Sequence, residues 1–177
     1  MTSRMMRASL GAILGAGLAL AGSGLMAQVS TNQVAVKTDW SVFAEQNPQE
    51  CWGVSSPKET VNMRDGKPAS VKRSDILLFV TFRPGQAGGE TSFTGGYPFA
   101  GASTVTLEVD TSKFELITDG EWAWAASADD DAKILAALQK GTAASLSAHS
   151  AKGTQTKDTF SLRGFTAAMA EAGSRCK

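Results

Sequence analysis

Cysteine is scarce in this chain. Two residues, Cys51 and Cys176, stand among 177, with no Cys-x-x-Cys pair, which argues against a thiol redox centre or a cysteine-built zinc site. Histidine occurs once, at His149, and a single imidazole does not assemble a typical zinc centre. There is no Gly-x-Ser-x-Gly elbow around which a Ser-His-Asp hydrolase would be recognised. An excess of one charge is missing as well, since 17 basic residues balance 17 acidic ones. Without a concentrated basic face, nucleic acid is not an expected partner. No polybasic block marks the chain for a membrane surface.

The N-terminus does carry a signal. "MTSRMMRASLGAILGAGLALAGSGLMAQVS" places Arg4 and Arg7 before a short apolar stretch, Ala8 to Ala21, followed by small residues with Ala27 at a cleavage position. These are the three parts of a secretory signal peptide. The stretch is shorter than the roughly 20 residues a spanning helix requires, so the mature chain is expected to have no stable membrane span. Residues 1–27 are therefore read as signal and 28–177 as a single domain. In an exported protein an even cysteine count reads as a disulfide. Cys51 and Cys176 allow one intramolecular pairing, across 125 positions, for which loop closure gives about 4–5 kcal/mol.

The mature chain reads mainly as short strands. "DWSVFAE" and "ECWGVSS" flank a turn at Pro48, and "RSDILLFVTFRP" holds the longest apolar run, Ile76 to Val80. "STVTLEVD" alternates with Val105, Leu107 and Val109 on one face, and "KFELIT" repeats the pattern. Asp119-Gly120 predicts a hairpin joining 113–118 to 121–125. "SADDDAKILAALQKG" predicts a helix, with Ser127 as N-cap, acids in the first turn, and Gly141 as the stop. "TAASLSAHS" and "DTFSLRG" form a last hairpin around "AKGTQTK", and "GFTAAMAEAG" a closing helix ending at Gly173.

Several constellations invite a functional reading. The glycine-rich segment 83–103 lacks the Gly-Lys-Ser/Thr ending of a phosphate loop. It reads as a long surface loop on which Tyr97 and Phe99 are candidate recognition residues. Trp122 and Trp124 share one strand face, where they either stack on a sugar or a partner protein or belong to the core. Trp40 and Trp52 read as buried. Asp129, Asp130 and Asp131 lack calcium-loop spacing and suit a helix N-terminus. No catalytic residue, metal site or cofactor emerges.

In order, "TDWSVF", "ECWGVSS", "GGYPF", "LEVD", "LQKG" and "DTFSLRGFTAAM" resemble the invasion-associated locus B family over roughly residues 36–177. Many of its members carry further cysteines, but here the corresponding stretches "WSVFAEQ" and "GEWAWAAS" have none. The family's cysteine framework is therefore not carried over. The resemblance implies a mainly β, immunoglobulin-like sandwich in an exported protein of the Gram-negative envelope, periplasmic or envelope-associated. It implies no catalytic residues. The function expected is a non-catalytic interaction module supporting host-cell interaction or envelope function, with another envelope or host-surface protein as partner. The alternatives are a periplasmic hydrolase built around His149 and a purely structural envelope component.

Overall fold

The computed structural model describes residues 32–177. The signal segment and the cleavage position expected near Ala27 lie outside the described residues. In chain order the elements are β1 (Gln33–Lys37), β2 (Trp40–Gln46), β3 (Gln49–Ser55), β4 (Glu59–Arg64), β5 (Lys67–Pro68), β6 (Leu77–Phe82), β7 (Glu90–Thr94), β8 (Thr104–Val109), β9 (Ser112–Asp119), β10 (Trp122–Ala125), α1 (Ala128–Lys140), β11 (Ala143–His149), β12 (Gln155–Ser161) and α2 (Phe165–Arg175).

All strands join one antiparallel sheet in the order β1-β2-β3-β6-β7-β10-β9-β8-β11-β12-β4-β5. The sheet doubles over on itself. Phe93 in β7 meets Phe160 in β12 edge-on, with ring centroids 6.2 Å apart, although four strands separate them in the sheet. The mainly β expectation is thus met by one continuous sheet whose halves face each other across a shared core. Alternation decides what enters that core: Val42, Leu78, Val80, Leu107, Leu116 and Leu146 point inward, fully buried.

The two helices fall where the sequence placed them. Ser127 caps α1, its hydroxyl accepting the Asp130 N–H at 3.2 Å, and Asp129 to Asp131 occupy the first turn. The Asp131 carboxylate accepts the Thr91 N–H at 2.7 Å and so anchors the helix start to β7. Helix α2 covers the inner face of β1–β3. Its Phe165 ring stands edge-on to the buried Trp40 at 4.9 Å, and the Trp40 indole donates to the Ser161 carbonyl at 3.0 Å. Close approach depends on Gly53, where a Cβ would lie 2.1 Å from the Met169 methyl. Entry into α2 depends on Gly164, whose φ of +87° is paired with a Cβ position 1.9 Å from the Lys37 carbonyl.

Cys51 in β3 and Cys176 just beyond α2 form the expected disulfide, with a Cα separation of 5.7 Å. α2 continues through Gly173 to Arg175 instead of stopping at the glycine. Helical φ and ψ are open to glycine, and at Gly173 an added Cβ would meet the Phe82 ring no closer than 3.5 Å.

The segment 83–103 is not one long surface loop. Its residues 90–94 form β7, paired to β6 on one side and β10 on the other, and Thr91, Ser92, Phe93 and Thr94 are buried. Strand pairing satisfies the backbone there, which lets a polar, glycine-flanked stretch sit inside the sheet. Strands β1, β4 and β5 also extend the sheet beyond the sequence-based expectation.

Candidate functional site

Inward alternation on β2, β3 and β6 leaves a second set of side chains pointing out. Phe43 pairs across to Trp52, and Trp52 to Thr81. Phe79 pairs to Ser92, Ser92 to Trp124, and Trp124 to Ile117. The register therefore lays two neighbouring aromatic clusters on the solvent face, Phe43 with Trp52 and Phe79 with Trp122 and Trp124, with Thr81 and Ser92 among them. The Phe43 and Trp52 rings stack at 5.5 Å, Phe79 lies 5.7 Å from Trp122, and Trp122 stacks on Trp124 at 6.3 Å. Trp122 is 39% exposed and Ile117 53%, while Phe43, Trp52, Phe79 and Trp124 are half-buried. Aromatic groups gathered in this way on a solvent face are the kind of patch that marks interaction sites.

Its borders are polar. At one end Phe43, Val54 and Leu77 run into a cleft of about 330 Å³ that also holds Asp39 and Lys58. Those two charges pair at 2.7 Å, and the Lys58 hydrogen bond holds the Asp39 carboxyl below its ordinary range. Along a flank Arg83 bridges Glu50 at 2.6 Å and Glu90 at 3.2 Å, and the Glu50 hydrogen bond raises the hold of the guanidinium on its proton. An apolar centre with a charged rim is the anatomy of a protein–protein contact.

The residues singled out from sequence separate. Trp122 and Trp124 lie together on this face. Phe99 does not reach a surface: at 7% exposure it packs against Phe93 at 6.1 Å and Tyr97 at 5.3 Å. The turn after β7 folds back over the core and carries Phe99 with it, so Phe99 is corrected to a core residue. Tyr97 is half-buried elsewhere, with the Arg73 guanidinium 4.9 Å above its ring and its hydroxyl hydrogen-bonded to Thr156. Burial raises the Tyr97 phenol above its ordinary value, so it stays protonated. Trp40 is fully buried as expected, whereas Trp52 faces out.

Beneath Tyr97 lies a buried ion pair that sequence reading missed. Arg73 grips Asp158 with two hydrogen bonds, 2.8 and 2.6 Å, the side chains being 5% and 0% exposed. The guanidinium also donates to the Gly95 carbonyl at 2.8 Å and to Asn62 Oδ1 at 3.2 Å. Pairing across 85 positions leaves no local trace in a sequence. His149 ends β11 on an exposed position beside Ser147, Gln155 and Lys157. Among the described residues, no hydrogen bond or ion pair joins it to a serine or a carboxylate. No helix among them is long and apolar enough to cross a membrane.

A family model described as the invasion associated locus B (IalB) protein matches residues 40–173. Among solved structures, the crystal structure of invasion associated protein b from Bartonella henselae is similar, with a TM-score of 0.55 at 16% identity, over 79% of this chain and 95% of that one. At that identity the likeness is one of fold. No curated protein matches the sequence.

Proposed function

This chain belongs to the invasion associated locus B family, and from that premise we propose that it is a non-catalytic interaction module of the cell envelope. It recognises a partner protein through the outer aromatic face of its folded sheet. The observation that carries this reading is the placement of Phe43, Trp52, Phe79, Trp122 and Trp124 on solvent-facing positions of β2, β3, β6 and β10, where their rings meet in two clusters. Tryptophan dominates binding hot spots because one rigid ring removes a large apolar area from water. Export is supported by the three-part N-terminal signal, and an oxidising compartment by the Cys51–Cys176 bond. The partner is another envelope or host-surface protein, and the role is support of host-cell interaction or of the envelope itself.

Cross-linking in intact cells, followed by identification of the captured protein, tests the proposal. Trp52→Ala and Trp122→Ala should each weaken capture, by roughly thirtyfold for a hot-spot residue, with the near-ultraviolet spectrum of the core preserved. Substrate turnover by the purified protein, abolished in His149→Ala and unaccompanied by any captured partner, would sink the reading in favour of a hydrolase.

A further inference from the structure

A second feature lies apart from the aromatic face. A cleft of about 130 Å³ opens over Tyr97, and Arg64, Lys72 and Lys152 line it together with Thr154 and Thr156. The Arg64 guanidinium is oriented by a hydroxyl, donating to Thr154 Oγ1 at 2.7 Å. None of these three cations has an ion pair among the described residues; Lys67, Lys113, Lys140, Arg163 and Lys177 make none either, but Arg64, Lys72 and Lys152 meet at one cleft. The acid nearest the floor, Asp158, is already neutralised by Arg73. Three like charges around one small opening repel each other, and no side chain relieves them.

The cleft is also held in shape. Ser74 N–H donates to the Gly96 carbonyl at 3.1 Å, Arg73 Nε to the Gly95 carbonyl at 2.8 Å, and Ala151 N–H to the Pro98 carbonyl at 2.9 Å. The hairpin carrying Lys152 is closed by Thr154 N–H on Ser150 Oγ at 3.0 Å. Thr154 and Thr156, 3% and 5% exposed, line the same cleft, the first accepting from Arg64 and the second hydrogen-bonded to the Tyr97 hydroxyl.

We propose that this cleft binds a phosphate group. A phosphate monoester carries about −1.5 to −2 charge at neutral pH and three acceptor oxygens, which the three cations around the cleft match in charge and in donors. A carboxylate, with one charge, would leave most of the repulsion in place. The volume is below the roughly 300–1,000 Å³ of a site that engulfs a whole drug-sized ligand. The phosphate enters and the rest of its carrier stays outside, whether that carrier is a soluble phosphate monoester or a lipid ending in a terminal phosphate such as phosphatidic acid.

Titration of the isotope-labelled protein with inorganic phosphate, followed by amide shifts and matched in ionic strength with chloride, tests the site. Saturating shifts are expected at Lys72, Tyr97, Lys152 and Thr154. The double variant Lys72→Ala/Lys152→Ala, altered only at exposed side chains, should weaken binding about five- to thirtyfold at an unchanged unfolding midpoint. Vesicles containing phosphatidic acid, whose headgroup is a monoester, and vesicles of phosphatidylcholine alone, compared with glycerol phosphate, separate the two carriers. Vesicle binding that the double variant loses assigns a lipid headgroup, and glycerol phosphate binding alone assigns a soluble ester. Shifts equal to those with chloride, or affinity unchanged in the double variant, would overturn the proposal and leave the aromatic-face reading untouched.

Discussion

Asp158→Asn removes one charge from the interior and almost no volume. In the native protein the Arg73 guanidinium, 5% exposed, places two N–H donors on the Asp158 carboxylate and two others on Gly95 and Asn62. The variant keeps one acceptor oxygen but turns an NH₂ toward a guanidinium that only donates. A buried cation is left without its counter-charge, a loss worth about 3–5 kcal/mol. Total stabilities of single domains are about 5–15 kcal/mol, so a large part of the fold's margin is at stake. With a urea slope of about 2 kcal/mol per molar, the unfolding midpoint should fall by about 1.5–2.5 M. Urea titration followed by tryptophan fluorescence measures it. Arg73→Met/Asp158→Leu replaces both charges with apolar groups, and the double-mutant cycle should show a coupling of about 2 kcal/mol or more. A midpoint shift under about 0.5 M for Asp158→Asn, or additive effects in the cycle, would refute the view that this pair is an uncompensated liability once broken.

Three further outcomes follow from the structure. Cys51→Ala/Cys176→Ala opens the 125-residue loop and should cost up to about 4–5 kcal/mol of stability in a urea titration. The intact mass of the wild-type protein should rise by two hydrogens only after reduction. Glu171, held below its ordinary range first by the Arg175 hydrogen bond and further by Arg175 and Lys37 charge, stabilises the folded state above the usual glutamate range. That contribution is lost as pH falls through the lowered value. Melting curves of Glu171→Gln and wild type should therefore diverge at neutral pH and converge as pH falls below the ordinary glutamate range. Curves that stay parallel across this range would contradict the assignment.

The strands with clean alternation were legible because each buries a face of its own. Val105, Leu107 and Val109 declare β8, and Ser127 with its trailing acids declares α1. β7 left no such mark, since Thr91, Ser92 and Thr94 are buried polar residues whose place is secured by main-chain pairing on both sides. The aromatic face was half legible. Trp122 and Trp124 share parity within one short strand, but their meeting with Phe79 and the neighbouring Phe43–Trp52 stack depend on cross-strand register, which no single segment encodes. The same parity argument could have turned Trp52 outward, because Cys51 and Gly53 claim the inner face on either side of it. Phe99 was misplaced for the opposite reason: glycine-rich flanks suggest a surface loop, while the chain bends back there to fill the core. The phosphate cleft draws Arg64, Lys72, Tyr97 and Lys152 from four separate segments, an assembly visible only once the sheet is folded.

Cys51 belongs to β3, near the start of the sheet, but its partner follows β12 and α2. During synthesis the first thiol waits while every later strand is made. A chain broken anywhere before α2 would keep that thiol unpaired and would leave the Trp40 ring without Phe165 against it. Thiol reagents and proteases would therefore distinguish a shortened product from one with all its elements in place. The bond between the two cysteines therefore reports that the closing helix is present, being absent from every fragment that lacks it.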